Sequence, residues 1–167
     1  RDMDVLRSAL GQRQLTYLGQ SYGTRLGAVY AEQFPDRVRA MLLDGGRDPL
    51  ETTFESRVGA YEGFQAAFDA MAASCAAEPD CPLGTEPALA TERFQEIVRP
   101  LLAQPVPALG TVLGFDDAVG GVIAGLYSTE AWPRVLAGIA EVAQGRGDGL
   151  LQLVRDFAPR ASDGDWP

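Results

Sequence analysis

Apolar residues in this chain follow two kinds of pattern, one after the other. In residues 3–11, Met3, Leu6 and Leu10 lie at helical intervals ahead of Gly11, so the chain opens on the last turns of a helix, as though continuing from something longer. Residues 14–19 combine β-branched, aromatic and aliphatic side chains ahead of a glycine, which predicts a short buried strand. From 22 to 34, Leu26, Val29, Tyr30 and Phe34 recur every three or four positions until Pro35-Asp36 closes the run, which predicts an amphipathic helix. Residues 38–44 give a second strand, closed by Gly45-Gly46. Strand, helix and strand in so short a span form the βαβ unit of a parallel sheet, an α/β fold.

Past Pro49 the strand-like runs stop. Phe54, Val58, Tyr61, Phe68 and Met71 share one helix face, and Phe94, Ile97, Val98, Leu101 and Leu102 share another. Val135, Leu136, Ile139 and Val142 make a third pattern, and Leu150, Leu151, Val154 and Phe157 a fourth. Pro82-Leu83-Gly84, the stretch 105–110 and the stretch 145–149 punctuate them. The expected organisation is α/β over residues 1–50 and all-helical over 51–167, without internal repeats.

Composition narrows the function. The 167 residues are 46% hydrophobic and 22% charged, which suits a folded protein with one sizeable core. Fourteen Lys+Arg against 23 Asp+Glu give a net charge of -9, so phosphate-backbone affinity has no source and nucleic acid is set aside as a partner. No apolar run approaches the roughly 18 residues of a membrane helix. The opening Arg1-Asp2-Met3-Asp4 lacks the apolar centre of a signal peptide. Histidine is absent, which removes the commonest general base and metal ligand, and no cofactor or metal is expected. Cys75 and Cys81 flank a turn-rich stretch; they are either a disulfide, which implies export, or two separate thiols.

Gly19-Gln20-Ser21-Tyr22-Gly23 fits the G-x-S-x-G pattern. Its weight comes from context, because a strand precedes it and a helix follows, as a strand-to-helix turn that raises a serine above a sheet requires. A serine at so tight a reversal has a strained backbone, and glycines two positions either side give the clearance. At the helix N-terminus, unpaired N–H groups and the positive dipole end favour developing negative charge. Ser21 is therefore the candidate nucleophile and the backbone N–H of Tyr22 a candidate oxyanion donor. The alternative is a serine in an ordinary βα turn.

The run from Leu15 to Gly27 (Leu-Thr-Tyr-Leu-Gly-Gln-Ser-Tyr-Gly-Thr-Arg-Leu-Gly), continued by Tyr30-Ala31-Glu32-Gln33-Phe34-Pro35-Asp36-Arg37-Val38 and Leu43-Asp44-Gly45, closely resembles α/β-hydrolase fold peptidases. The nearest group is the secreted tripeptidyl aminopeptidase-like hydrolases of actinobacteria, relatives of proline iminopeptidases. The resemblance implies a parallel-sheet core with a nucleophile elbow, followed by an inserted helical cap to which residues 51–167 correspond. It further implies that Cys75 and Cys81 close the cap's short disulfide loop, and that the protein acts outside the cell or in its envelope. In that family the triad runs Ser, Asp, His, with the acid and histidine after the cap and a second oxyanion donor well before the nucleophile. Ser21 and the Tyr22 amide are the counterparts present here, so the 167 residues are expected to be a middle piece of a longer hydrolase. Alone it is expected to be inactive and, with strand faces uncovered, poorly soluble.

Other residues carry weaker expectations. Asp44, at the end of the second strand, is a minor candidate for orienting a histidine; the simpler expectation is that it hydrogen-bonds the Gly45-Gly46 turn. Glu55, Glu62, Asp69, Asp116 and Asp117 are available to bind a peptide's amino group, as the resemblance implies for the cap, or are solvated helix faces. Trp132 and Trp166 line a pocket or pack in the core, and Arg25 is expected in a structural ion pair. The leading function is an exopeptidase that releases short peptides from N-termini through an acyl-enzyme on Ser21. Its competitors are a non-catalytic binding module and an esterase of the same fold.

Overall fold

Asp2 and Asp4 in the first turn and Arg7 in the last oppose the macrodipole of helix α1 (Asp2–Ala9). Gly11 ends the helix at φ 67°. The computed structural model describes residues 1–158, so Trp166 lies outside the described residues. Strand β1 (Leu15–Gln20), helix α2 (Tyr22–Gln33) and strand β2 (Val38–Asp44) follow. The strands pair in parallel, from Leu15 opposite Val38 to Gln20 opposite Asp44, with one irregularity after Leu15. This is the predicted βαβ unit, with β1 running to Gln20. Tyr17, Met41 and Leu43 face Gly27 of α2, whereas Leu18 and Leu42 on the other face are 63% and 65% exposed. The strand expected to be buried is thus covered on one side, because successive side chains point to opposite faces and α2 covers one of them.

The chain divides into two compact units, residues 1–60 and residues from 61 onward. In the first, α1 is tied down through Asp4. Its carboxylate accepts from Arg7 Nε at 2.9 Å and Tyr30 Oη at 3.2 Å, and pairs with Arg37. The Arg7 hydrogen bond, with the charges of Arg37 and Arg7 and against a desolvation that works the other way, holds the Asp4 carboxyl below its ordinary value.

Helix α3 (Thr53–Cys75) starts on a capping box: Glu55 Oε2 accepts from the Thr52 N–H at 2.8 Å and from Thr52 Oγ1 at 2.7 Å, and Thr52 Oγ1 accepts from the Glu55 N–H at 3.2 Å. Of its predicted face, Phe68 and Met71 are buried, while Phe54, Val58 and Tyr61 are exposed. The second unit continues with α4 (Ala90–Val98), β3 (Val106–Ala108), β4 (Thr111–Leu113), α5 (Phe115–Leu126), α6 (Trp132–Ala143) and α7 (Asp148–Phe157). Its core runs from Phe68 and Met71 through Val98, Leu113, Val135 and Ile139 to Leu150, and Trp132 packs against it. Helices approach closely where side chains are missing: a Cβ on Gly121 would lie 2.5 Å from the Leu150 carbonyl oxygen, and one on Gly138 2.7 Å from Leu150 Cδ2.

The expectation that everything past residue 50 is helical needs correcting. β3 and β4 form an antiparallel hairpin, Val106 opposite Leu113, across a stretch that its prolines marked only as a break. Leu109 and Gly110 both have positive φ, 46° and 79°, as a two-residue primed turn requires, and the Leu109 N–H donates to Asp148 Oδ1 at 2.7 Å. Helix α5 was not predicted; Gly120, Gly121 and Gly125 dilute its helix propensity.

Cys75 and Cys81 form a disulfide, Cα to Cα 5.5 Å, that closes the end of α3 onto the following turn. By loop length this small ring contributes about 2 kcal/mol. A Cys75→Ser/Cys81→Ser double variant should lose about that much in a denaturant titration, and an unchanged midpoint would contradict the assignment. A second expectation concerns acid. Because the folded Asp4 carboxyl sits below its ordinary 3.8, its contribution is complete above that pH and is lost as pH falls through the lower folded value. Asp4→Asn should flatten the loss of stability below about pH 4 while lowering stability at neutral pH, read by melts across pH.

Candidate functional site

The site lies where the two parallel strands end. Register sets Gln20 opposite Asp44, so the next residues, Ser21 and Gly45, are neighbours at the carboxyl edge of the sheet. The Ser21 N–H continues the strand ladder by donating to the Asp44 carbonyl at 2.9 Å, and the next residue begins α2. The chain therefore reverses within one residue. Ser21 takes φ 49° and ψ -116°, a strained conformation for any residue with a Cβ, costing about 1–3 kcal/mol.

Several hydrogen bonds hold this turn. The Ser21 carbonyl accepts from the Thr24 N–H at 3.0 Å and from Thr24 Oγ1 at 2.7 Å. Thr24 is 1% exposed, and its hydroxyl also accepts the Arg47 N–H at 2.9 Å, joining the start of α2 to the loop after β2. Tyr17 Oη donates to the Gly23 carbonyl at 2.8 Å. Sequence reasoning missed Thr24; its signal was a hydroxyl in the first helical turn, three residues after the serine, within reach of that carbonyl. Clearance is uneven. A Cβ at Gly19 would lie 2.5 Å from the Gly23 carbonyl oxygen, whereas at Gly23 it would meet Tyr17 Oη at 3.3 Å.

Ser21 is exposed, and its hydroxyl makes no cap hydrogen bond to α2. The Tyr22 N–H is among the first-turn donors that a helix cannot satisfy internally, and its side chain points outward at 61% exposed. No acidic residue sits in the first turn of α2, so its positive end is not offset there. These features suit an exposed hydroxyl beside donors ready for negative charge.

The remaining candidates fall elsewhere. The Asp44 carboxylate accepts from Gln20 Nε2 at 3.2 Å, so its side chain bonds the end of the neighbouring strand while its carbonyl holds Ser21. Arg25 has no ion pair among the described residues, contrary to expectation; the pairs of the first unit gather on Asp4 instead. Of the five acids, Glu55 is used in the α3 capping box, and the cap's hydrogen bonds hold its carboxyl below the ordinary value. Asp69 accepts from Gln65 at 2.8 Å, Asp116 and Asp117 occupy the first turn of α5, and Glu62 is exposed. Among the described residues no three acidic, cysteine or histidine side chains gather as metal ligands, and no helix is long and apolar enough to cross a membrane.

A parallel βαβ unit with a strained serine between strand and helix defines a class, and comparison with known proteins agrees with it. The family model of the α/β hydrolase fold matches residues 1–139, and the chain belongs to that family. It is 43% identical over 174 residues to the serine protease Hip1 of Mycobacterium tuberculosis, covering 99% of this chain and 34% of the relative. It is 45% identical over 175 residues to the tripeptidyl aminopeptidase of Streptomyces lividans, covering 98% and 30%. Carboxylesterase B of Mycobacterium tuberculosis is 42% identical over 168 residues, covering 99% and 32%. The chain thus spans about a third of the length of these relatives.

Gly19→Ala should move the turn, because the new methyl would meet Gly23 backbone at 2.5 and 2.7 Å. The expected loss is about 1–3 kcal/mol. Gly27→Ala should cost less, since it meets side-chain atoms of Leu43, Tyr17 and Met41 that can turn aside. Thermal melts of the two variants check this, and equal losses would contradict it.

Proposed function

We propose that this chain carries the nucleophile of a serine hydrolase, an exopeptidase that releases short peptides from N-termini through an acyl-enzyme on Ser21. The observation that carries the reading is the Ser21 backbone, φ 49° and ψ -116°, on an exposed residue between β1 and α2. A strain of this kind persists where surrounding structure holds it, and here it leaves the hydroxyl uncapped. The oxygen attacks a carbonyl carbon, a C–O bond forms, and the proton leaves to a base. The Tyr22 N–H hydrogen-bonds the resulting oxyanion. Collapse breaks the C–N bond, the base gives its proton to the departing amine, and an ester is left on Ser21, which water then cleaves.

The 167 residues contain no histidine, so the base comes from sequence beyond them. Residues from 51 onward, with their helices and disulfide, act as the cap. The disulfide also supports an exported protein, since such bonds persist in oxidising compartments. Relatives named as a serine protease and a tripeptidyl aminopeptidase support a peptide substrate. A second reading, an esterase using the same turn, draws on the relative named carboxylesterase B.

A fluorophosphonate probe tests the reading. The 167-residue chain should show no Ser21-dependent labelling, whereas the chain extended by its flanking coding sequence should label and lose the label in Ser21→Ala. The extended protein should cleave tripeptidyl anilides. Turnover of plain acyl esters without anilide cleavage would favour the esterase, and labelling that survives Ser21→Ala would remove Ser21 from the reaction.

A further inference from the structure

The helical unit holds a cavity of about 220 Å³ between α3, α4 and α5, lined by apolar side chains and uncharged polar ones. Phe68 and Phe94, 5.5 Å between ring centroids, and Val122 are its buried members. Val119, Ile123 and Leu126 of α5 are half-buried along it, and exposed Tyr61 belongs to the same lining. An apolar cavity of about 150 Å³ is enough to hold a benzene ring. This one is larger and opens to solvent, so a six-membered ring fits.

The polar members, Gln65, Thr91 and Gln95, sit exposed or half-buried at its rim. Gln65 Nε2 donates to Asp69 Oδ1 at 2.8 Å and to Thr91 Oγ1 at 3.1 Å, which leaves Gln65 Oε1 to accept. Gln95 Oε1 accepts from Arg99 Nε at 3.1 Å, which leaves the Gln95 amide N–H groups to donate. A carboxylate on one side and a guanidinium on the other dictate which end of each glutamine points where, since Asp69 accepts and Arg99 only donates. Thr91 Oγ1, already an acceptor, still has its own proton to give. The cavity edge thus offers both donors and an acceptor around an apolar interior, the complement of a secondary amide next to a ring.

We propose that this cavity is a binding site for an uncharged molecule carrying one aromatic ring beside a secondary amide, as in an aromatic residue within a peptide or an N-acyl aromatic amine. The ring enters against Phe68, Phe94 and Val122; the amide carbonyl accepts from Gln95 or Thr91, and the amide N–H donates to Gln65. A carboxylate in place of the amide is disfavoured, because no lining residue carries a positive charge to offset its desolvation. The proposal rests on residues of the helical unit and not on the hydrolase reading.

Methyl NMR on the chain extended by its flanking coding sequence tests it, with N-acetyl-phenylalaninamide, N-acetylglycinamide and 3-phenylpropionate as probes. The first should shift the Val119, Val122, Ile123 and Leu126 methyls saturably, with affinity at least about tenfold above the other two, as the missing ring of N-acetylglycinamide and the desolvated carboxylate of 3-phenylpropionate imply. Val119→Phe, which fills the cavity from a half-buried position, should abolish saturation; Gln95→Leu should weaken it without closing the cavity. No saturable shift with N-acetyl-phenylalaninamide, equal shifts from all three probes, or unchanged binding in both variants would overturn the proposal.

Discussion

The geometry of the first unit depends on one constraint: a residue with a side chain held at positive φ where a strand becomes a helix. Left to itself such a residue relaxes, because the conformation costs about 1–3 kcal/mol. The neighbouring strand prevents this. With Gln20 opposite Asp44, the Asp44 carbonyl is placed to take the Ser21 N–H, and relaxing the turn would break that bond. From the other side, Thr24 uses both its N–H and its hydroxyl on the Ser21 carbonyl. The peptide groups on both sides of the strained Cα are therefore fixed, and the residue between them has nowhere to turn.

The two units are held by different means. Every member of the buried apolar cluster lies between Phe68 and Leu153, in the helical unit. The α/β unit buries little beyond Tyr30, Thr24, Gly19 and Gly27; beside the packing of Tyr17, Met41 and Leu43 on α2, its tertiary links include polar ones, Asp4 to Arg37 and Tyr30 and Thr24 to Arg47. Such links have directions as well as strengths, which suits a turn whose value lies in where it aims one hydroxyl. Helix packing tolerates more variation, and in the second unit it leaves a cavity.

How legible each part was follows from how local its cause is. The βαβ unit could be read because Leu26, Val29 and Tyr30 recur at helical spacing between two short apolar runs. The turn could be read because Gly19 is required by a contact four residues away. What failed was decided at a distance. The β3–β4 hairpin is supported by Asp148, thirty-nine residues beyond Leu109, and its Leu-Gly turn lacks the usual Asn-Gly or Asp-Gly signal. Pairing of Arg25 failed too: among the described residues the ion pairs of this unit are Arg7 and Arg37 on Asp4. Thr24 was overlooked although its contact is local, because a threonine in a first helical turn usually does no more than face solvent.

An N-cap serine ordinarily turns its oxygen back to accept an N–H from the second or third helical residue, stabilising the helix and using up the hydroxyl. That bond requires extended φ and ψ at the cap. At φ 49° the geometry is lost, and Ser21 makes no such bond. The helix is compensated in a different way, since the Thr24 N–H that the serine oxygen would have taken goes to the Ser21 carbonyl instead. The Tyr22 and Gly23 N–H groups have no partner among the described residues. The same backbone strain thus frees a hydroxyl and leaves adjacent donors open. On the proposed reading, one distorted residue both frees the nucleophile's hydroxyl and leaves one of its oxyanion donors, the Tyr22 N–H, open.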